Sequence, residues 1–212
     1  MKSYHLTIID DFFVDPDYIR NLALSVDYPH SDQRWPGRRS EQIYKIDRML
    51  FDYVGNKLLS IFGSKPEAWD MAMNFQKIVP FSDDKWDVTN RGWVHVDSRV
   101  QFGGVIYLNK NPDIDTGTSI YRTKRGYNNY YTDSKEKLYS GQDFDRNQYI
   151  KDYNSYHDEF IETVKVDNVY NRFVLFGCDT YHGVRTFGTE ERLTLAFFCN
   201  DAHKYTNPLL RL

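Results

Sequence analysis

The sequence predicts a mainly β domain: a sandwich of about eight strands with flanking helices, two of them at the N-terminus, and a helical insertion. Three observations carry that expectation. Acid usage is skewed, with 23 Asp against 7 Glu alongside 14 Asn, and Asp and Asn favour turns and caps whereas Glu favours helix interiors. Aromatic residues make up 17% of the chain, and aromatic side chains suit strands. From about residue 70, short apolar or alternating runs recur between polar turn residues, the pattern of strands. At 212 residues the chain suits one domain with a sizeable core. The aromatics exclude disorder, and the shortage of Glu, Leu and Ala excludes a coiled coil.

Leu6 to Ile9 reads as a short strand, and Asp15-Pro16 as an N-cap followed by proline at the first helical position. Ile19, Leu22, Ala23 and Val26 then recur at helical spacing. Residues 28–46 are polar and irregular, centred on Arg34-Trp35-Pro36-Gly37-Arg38-Arg39. Leu50, Tyr53, Val54, Leu58 and Ile61 mark a second helix that closes near Gly63. Strands are expected at Met71 to Val79, Trp93 to Asp97, Val100 to Leu108 and Thr118 to Arg122. Residues 123–142 hold almost no aliphatics and read as loop. Tyr149, Tyr153, Tyr156 and Phe160 step by 4, 3 and 4, one face of a third helix. Strands resume at Thr163 to Val166, Arg172 to Phe176, Gly183 to Phe187 and Arg192 to Asn200. The expected organisation is a single domain over 1–212: helical support at 1–69, a β core at 70–122 and 163–200, and an insertion at 123–162.

A net charge of −3 gives no basic footprint for DNA, RNA or anionic lipid, which argues against nucleic-acid and membrane partners. Met1 to Asp10 lacks the apolar run of a signal peptide, and no stretch approaches the roughly 18 apolar residues of a membrane span. Cys178 and Cys199 make no framework and read as small hydrophobes on strands, so a cytoplasmic location is expected.

The chemistry is expected at Trp93-Val94-His95-Val96-Asp97. Its alternation puts His95 and Asp97 on one face of a strand. An imidazole and a carboxylate presented together are two ligands of the 2-His-1-carboxylate triad that suits non-haem Fe(II) and leaves positions open. Alone the pair is weak, since random placement of 6 His and 23 Asp gives roughly 0.65 such pairs, and a half-buried histidine beside a turn aspartate explains it as well. His182, after the apolar run Phe173 to Phe176, is the best third ligand because it falls at a strand end. His157 is set aside: its segment reads as helix, where positions i and i+2 diverge. His5, His30 and His203 have no paired carboxylate on a strand. In Arg192 to Phe198, Leu193, Leu195 and Phe197 take one face, leaving Arg192, Thr194 and Ala196 on the other. A buried arginine there demands a carboxylate or phosphate, unless it pairs in solvent with Glu190 or Glu191.

Taken in order, His95-Val96-Asp97, Val105 to Asn109, Gly117 to Tyr121, Arg172 to Phe176, His182-Gly183-Val184 and Arg192-Leu193-Thr194 resemble the Fe(II)/2-oxoglutarate-dependent dioxygenases, in their prolyl-hydroxylase-like branch. The resemblance spans about 93 to 200, broken by the insertion. It implies a double-stranded β-helix (jelly-roll) with the metal at one open end. It implies that His95, Asp97 and His182 bind Fe(II), and that 2-oxoglutarate and O₂ fill the open positions. It further implies that Arg192 pairs with the C5 carboxylate of 2-oxoglutarate, with Tyr107 donating to the same group and Thr194 flanking it. The implied reaction is hydroxylation, or demethylation, of a peptide or small-molecule substrate with release of succinate and CO₂. Two departures stand out: Asp115-Thr116 precedes Gly117 where many relatives have paired glycines, and the insertion replaces a shorter connection. Residues 28–46 and 123–142 are expected to be mobile loops bordering the entrance, with Arg34, Trp35, Arg38, Tyr127 and Tyr130 touching the prime substrate. The competing classes are a catalytically silent jelly-roll that binds metal or ligand, and a cupin-like metalloenzyme; the lack of a His-x-His cluster and the presence of Arg192 argue against the latter.

Overall fold

The computed structural model describes residues 6–31, 34–61, 69–97, 99–124 and 132–202. Among them lie nine strands and five helices. The chain opens with β1 (Leu6–Ile9) and α1 (Pro16–Ser25), whose N-cap Asp15 accepts a hydrogen bond from the Tyr18 N–H with Pro16 in the first turn, as the sequence predicts. There follow β2 (Arg38–Gln42), α2 (Ile43–Ile46), α3 (Arg48–Ile61) and β3 (Trp69–Ile78). The β2 strand and α2 correct the expectation that 28–46 is irregular throughout. An edge strand of Arg-Arg-Ser-Glu-Gln carries no apolar alternation, and charged side chains are what an exposed sheet edge tolerates.

The remaining elements are β4 (Phe102–Tyr107), β5 (Thr118–Thr123), α4 (Asp133–Ser140), α5 (Arg146–His157), β6 (Phe160–Val166), β7 (Phe173–Gly177), β8 (Tyr181–Val184) and β9 (Arg192–Ala202). Two antiparallel sheets result, one of six strands in the order β1-β7-β4-β9-β3-β2 and one of three in the order β6-β5-β8. The apolar alternation of β9 is obeyed: Leu193, Leu195 and Phe197 join Met73, Phe75, Ile106 and Phe173 under α1 and α3, whose Ile19, Ala23, Val54 and Leu58 close that side. The opposite face sends Tyr107, Val174 and Phe176 against Ile120 and Val166 of the second sheet.

Three sequence expectations shift. Phe160 opens β6 instead of extending the third helix, because the 156-to-160 spacing suits a helix although the helix has already ended at His157. Residues 123–142 are not all loop: α4 lies there, with Thr132 as its N-cap and Gly141 in the left-handed conformation at its end. Trp93 to Asp97 forms no strand; its only bridge is His95 with His182. Cys199 is a buried residue of β9, whereas Cys178 is half-buried just past β7. Among the described residues no helix is long and apolar enough to cross a membrane.

Candidate active site

His182 is the second residue of β8 and pairs with Ile120 of β5. Its backbone also makes a reciprocal pair with His95: each N–H donates to the other's carbonyl at 2.9 Å. Residues directly opposed in an antiparallel pair send their side chains to the same side. The two imidazoles accordingly lie 4.3 Å apart, centroid to centroid. Asp97 completes the group, with Oδ1 at 3.9 Å from His95 Nε2 and Oδ2 at 3.6 Å from His182 Nε2. A β-carbon at Gly103 would stand 3.3 Å from Asp97 Oδ2, so glycine there leaves the carboxylate its space.

The segment that carries His95 is held from the insertion. His157 Nε2 accepts from the Val94 N–H at 3.3 Å, the Tyr156 hydroxyl donates to the Val94 carbonyl at 2.8 Å, and the Tyr153 hydroxyl donates to the Gly92 carbonyl at 3.3 Å. Trp93 is buried among Tyr149, Tyr153, Tyr156 and His157, and its indole N–H donates to the Tyr149 hydroxyl at 3.0 Å. These side chains of α5 take the backbone groups that a neighbouring strand would take, which is why the alternating segment folds as no strand.

The donor set fits a divalent transition metal. His95 Nδ1 lies 2.9 Å from the Trp93 carbonyl, and His182 Nδ1 lies 2.9 Å from the Thr180 carbonyl. A carbonyl only accepts, so both Nδ1 atoms carry the proton and both Nε2 lone pairs face Asp97, the arrangement that orients metal-binding histidines. The ligand atoms of the three residues lie within 4.8 Å of one another. His95 is half-exposed but opens on a cavity, and desolvation by its walls, with His182 beside it, lowers its imidazole to about 4. It is neutral, as ligation requires.

That cavity measures about 570 Å³ and is lined by the triad together with Arg192, Thr118, Phe176 and Ala196. Arg192 is 4% exposed, its Nε donates to the Thr116 carbonyl at 3.0 Å, and its guanidinium sits 5.5 Å from the centre of the Tyr107 ring. Burial lowers its pKa, partly offset by Tyr107. Among the described residues no carboxylate pairs with Arg192: Glu191 lies instead near Lys77, at 3.6 Å. Tyr107 and Thr194 are register partners on β4 and β9. The Tyr107 hydroxyl donates to Thr118 Oγ1 at 2.8 Å, while the buried Thr194 Oγ1 has no partner among the described residues. A buried guanidinium without a counter-ion beside an orphaned hydroxyl is what a carboxylate ligand would satisfy.

Of the residues expected to meet the prime substrate, Arg34 and Trp35 line the cavity. Arg38 lines a separate open groove with Lys77 and Phe81. Tyr127 and Tyr130 lie outside the described residues. The cavity wall also includes Arg39, which sequence reasoning missed, and Lys135 and Tyr139, which lie on a helix that sequence reasoning did not expect. The signal for the last two was Thr132 with Gly141 nine residues on, a helix start and stop in a segment too polar to show periodicity. Arg39 stacks over Trp35 at 4.2 Å and over Phe198 at 5.0 Å. Lys135 projects over Trp93 at 5.6 Å and Tyr139 at 5.8 Å, and desolvation lowers its ammonium to about 8.

Over residues 1–190 the chain matches the model of a family of unknown function, DUF6445. It belongs to that family. The matched span of this DUF6445 protein includes His95, Asp97 and His182 and ends just short of Arg192. Among curated proteins none matches it. Solved structures do. A prolyl-4-hydroxylase from Pseudomonas putida is 14% identical, with 93% of this chain and 92% of that one covered at a TM-score of 0.51. A Trichoplax adhaerens prolyl hydroxylase, in complex with a peptide fragment of hypoxia inducible factor, is 12% identical, covering 92% and 83% at 0.55. HygX from Streptomyces hygroscopicus, with nickel, 2-oxoglutarate and hygromycin B bound, is 12% identical, covering 96% and 85% at 0.58. The fold of this DUF6445 protein is therefore that of the 2-oxoglutarate/Fe(II) oxygenases, a jelly-roll core with flanking helices.

Proposed function

We propose that this protein is an Fe(II)- and 2-oxoglutarate-dependent oxygenase, one domain over its whole length, that hydroxylates a C–H bond of a peptide or small-molecule substrate. The balance is R–H + O₂ + 2-oxoglutarate → R–OH + succinate + CO₂. One oxygen atom enters the product and the other enters succinate; the C–H bond and the decarboxylation each supply two electrons. The observation that carries the reading is that the His95, Asp97 and His182 group and the buried Arg192, which meets no carboxylate among the described residues, open on the same cavity.

In this reading His95, Asp97 and His182 hold Fe(II) through Nε2, a carboxylate oxygen and Nε2. Bound there, the metal supplies the activation of O₂. Arg192 holds the C5 carboxylate of 2-oxoglutarate through its planar fork, and Thr194 Oγ1 gains the partner it lacks. Tyr107 steadies the guanidinium and turns its hydroxyl between Thr118 and the carboxylate. Phe176, whose ring lies 3.9 Å from that of His182, keeps water off that side.

The test is anaerobic addition of Fe(II) and 2-oxoglutarate, which gives a weak visible charge-transfer band when the chelate forms. His95→Ala and His182→Ala should each abolish it, and Arg192→Ala should raise the 2-oxoglutarate requirement at least tenfold. No band from the wild-type protein would overturn the proposal. A band without succinate release in air, across a peptide and metabolite panel, would favour a silent ligand-binding jelly-roll.

A further inference from the structure

Among the described residues, the charged groups that line the cavity are Arg34, Arg39, Arg99, Lys135 and Arg192 on the positive side and Asp97 alone on the negative. This is a local excess in a chain that carries more acid than base overall, 30 Asp and Glu against 27 Lys and Arg. In the proposed holoenzyme the charges of Fe(II) and Arg192 are cancelled by Asp97 and the two carboxylates of 2-oxoglutarate. The wall that carries Arg34, Arg39, Arg99 and Lys135 adds further positive charge to the cavity. Such a wall draws and orients an anion.

Lys135 is the sharpest feature of that wall. It stands in the first turn of α4, a helix capped by Thr132 at one end and by Gly141 at the other, so the ammonium is presented from a fixed element. It projects over Trp93 and Tyr139, and among the described residues its ammonium meets no carboxylate and no hydrogen-bond acceptor. A partly buried cation without a counter-ion is costly where packing alone is needed. On the same cavity, the Trp35 indole Nε1 is buried and among the described residues also lacks an acceptor. Donors without acceptors, two of them on one cavity, call for a ligand rich in acceptor oxygens.

We infer that the prime substrate is a small organic acid whose carboxylate or phosphate docks on Lys135, and that Lys135 is the residue that selects it. The inference rests on the oxygenase reading and names the substrate class of that site. The cavity volume of about 570 Å³ suits a small molecule.

The experiment uses full-length protein loaded with Ni(II) and saturating 2-oxoglutarate, which fills the Arg192 pocket without turnover. Binding is followed by tryptophan fluorescence, since Trp93 borders Lys135 and Trp35 lines the same cavity. The probes are N-acetyl-aspartate and inorganic phosphate, with N-acetyl-asparagine as the neutral counterpart of the first. At least one anion should bind tenfold or more tightly than the neutral probe. Lys135→Met should weaken that anion at least tenfold, and Lys135→Arg should restore it to within about threefold. Equal affinity for the anionic and neutral probes overturns the inference, and needs no variant. So does anion binding that Lys135→Met leaves unchanged. The parent reading is checked separately, by the rise in melting temperature on adding Ni(II) and 2-oxoglutarate. A rise with no anion selectivity sinks only the substrate class. Anion selectivity with no response to metal and 2-oxoglutarate sinks the oxygenase reading, and the assignment of the anion as its substrate with it.

Discussion

His182 and His95 present the same atom toward the same carboxylate, yet one is mounted on a sheet and the other on a loop. His182 is buried in β8, four residues of which pair with β5, and its ring lies on Phe176. His95 has a single backbone pair, to His182 itself; its segment meets β8 once more, where the Gly92 N–H donates to the Val184 carbonyl at 2.9 Å, and is otherwise gripped by side chains of α5. A ladder sets a ligand's direction through the backbone of its neighbours and tolerates most side chains nearby. A clamp of hydroxyls and an imidazole sets it through a few named groups, so single substitutions far from the metal should disturb His95 and spare His182.

Trp93→Ala breaks that asymmetry most. It empties a buried site ringed by Tyr149, Tyr153, Tyr156 and His157, and should cost about 3–5 kcal/mol in urea unfolding, with loss of metal binding. A cost under about 1 kcal/mol would mean that the aromatic cluster does not support the segment.

The pH dependence comes next. Desolvation lowers His157 to about 4. The unfolded chain therefore takes up a proton below about 6.5 that the folded chain refuses until about 4. The stability this group contributes is full above pH 6.5 and is lost as the pH falls toward 4, by up to about 3 kcal/mol. His95 acts in the same direction, so the measurement is the difference in unfolding free energy between wild type and His157→Gln from pH 7.5 to 4.5. A difference flat with pH would show that His157 is not held neutral.

Smaller effects sharpen the comparison. Tyr156→Phe removes the 2.8 Å hydrogen bond to the Val94 carbonyl and should cost about 1 kcal/mol. By loosening His95 it should also weaken metal binding by up to about tenfold, the lower end of what outer partners contribute. Tyr153→Phe removes a bond of 3.3 Å and should cost no more than about 0.5 kcal/mol with metal affinity unchanged. Equal losses for the two would show that ring packing, not hydrogen bonding, fixes the segment.

Much of this was legible in the residues, and the misses have physical causes. The alternation in Trp93 to Asp97 placed His95 and Asp97 on one side correctly, although the element is no strand. What it could not show is that α5, more than fifty residues away, supplies the missing partner groups. Arg192 was legible as buried from the apolar alternation of β9, but whether Glu190 or Glu191 would neutralise it depended on Lys77 of β3, a neighbour only in space. Residues Arg38 to Gln42 gave no strand signal because an edge strand with one buried side chain, Ser40, has no apolar face to display. Lys135 was hidden because α4 is short and polar, so its caps were informative where its periodicity was not.

The excursion between β5 and β6 has a further consequence for how this protein can change. Its first helix supplies Lys135 to the cavity wall, and its second grips the segment that carries His95. In the proposed oxygenase, selectivity and metal retention are thus written on one stretch of chain. In many scaffolds a loop can be exchanged as a cassette while the reaction centre is left alone. Here a swap of the whole excursion would remove a support of the reaction centre along with the old preference. Re-targeting therefore has to proceed by point changes on α4, with the α5 half left intact.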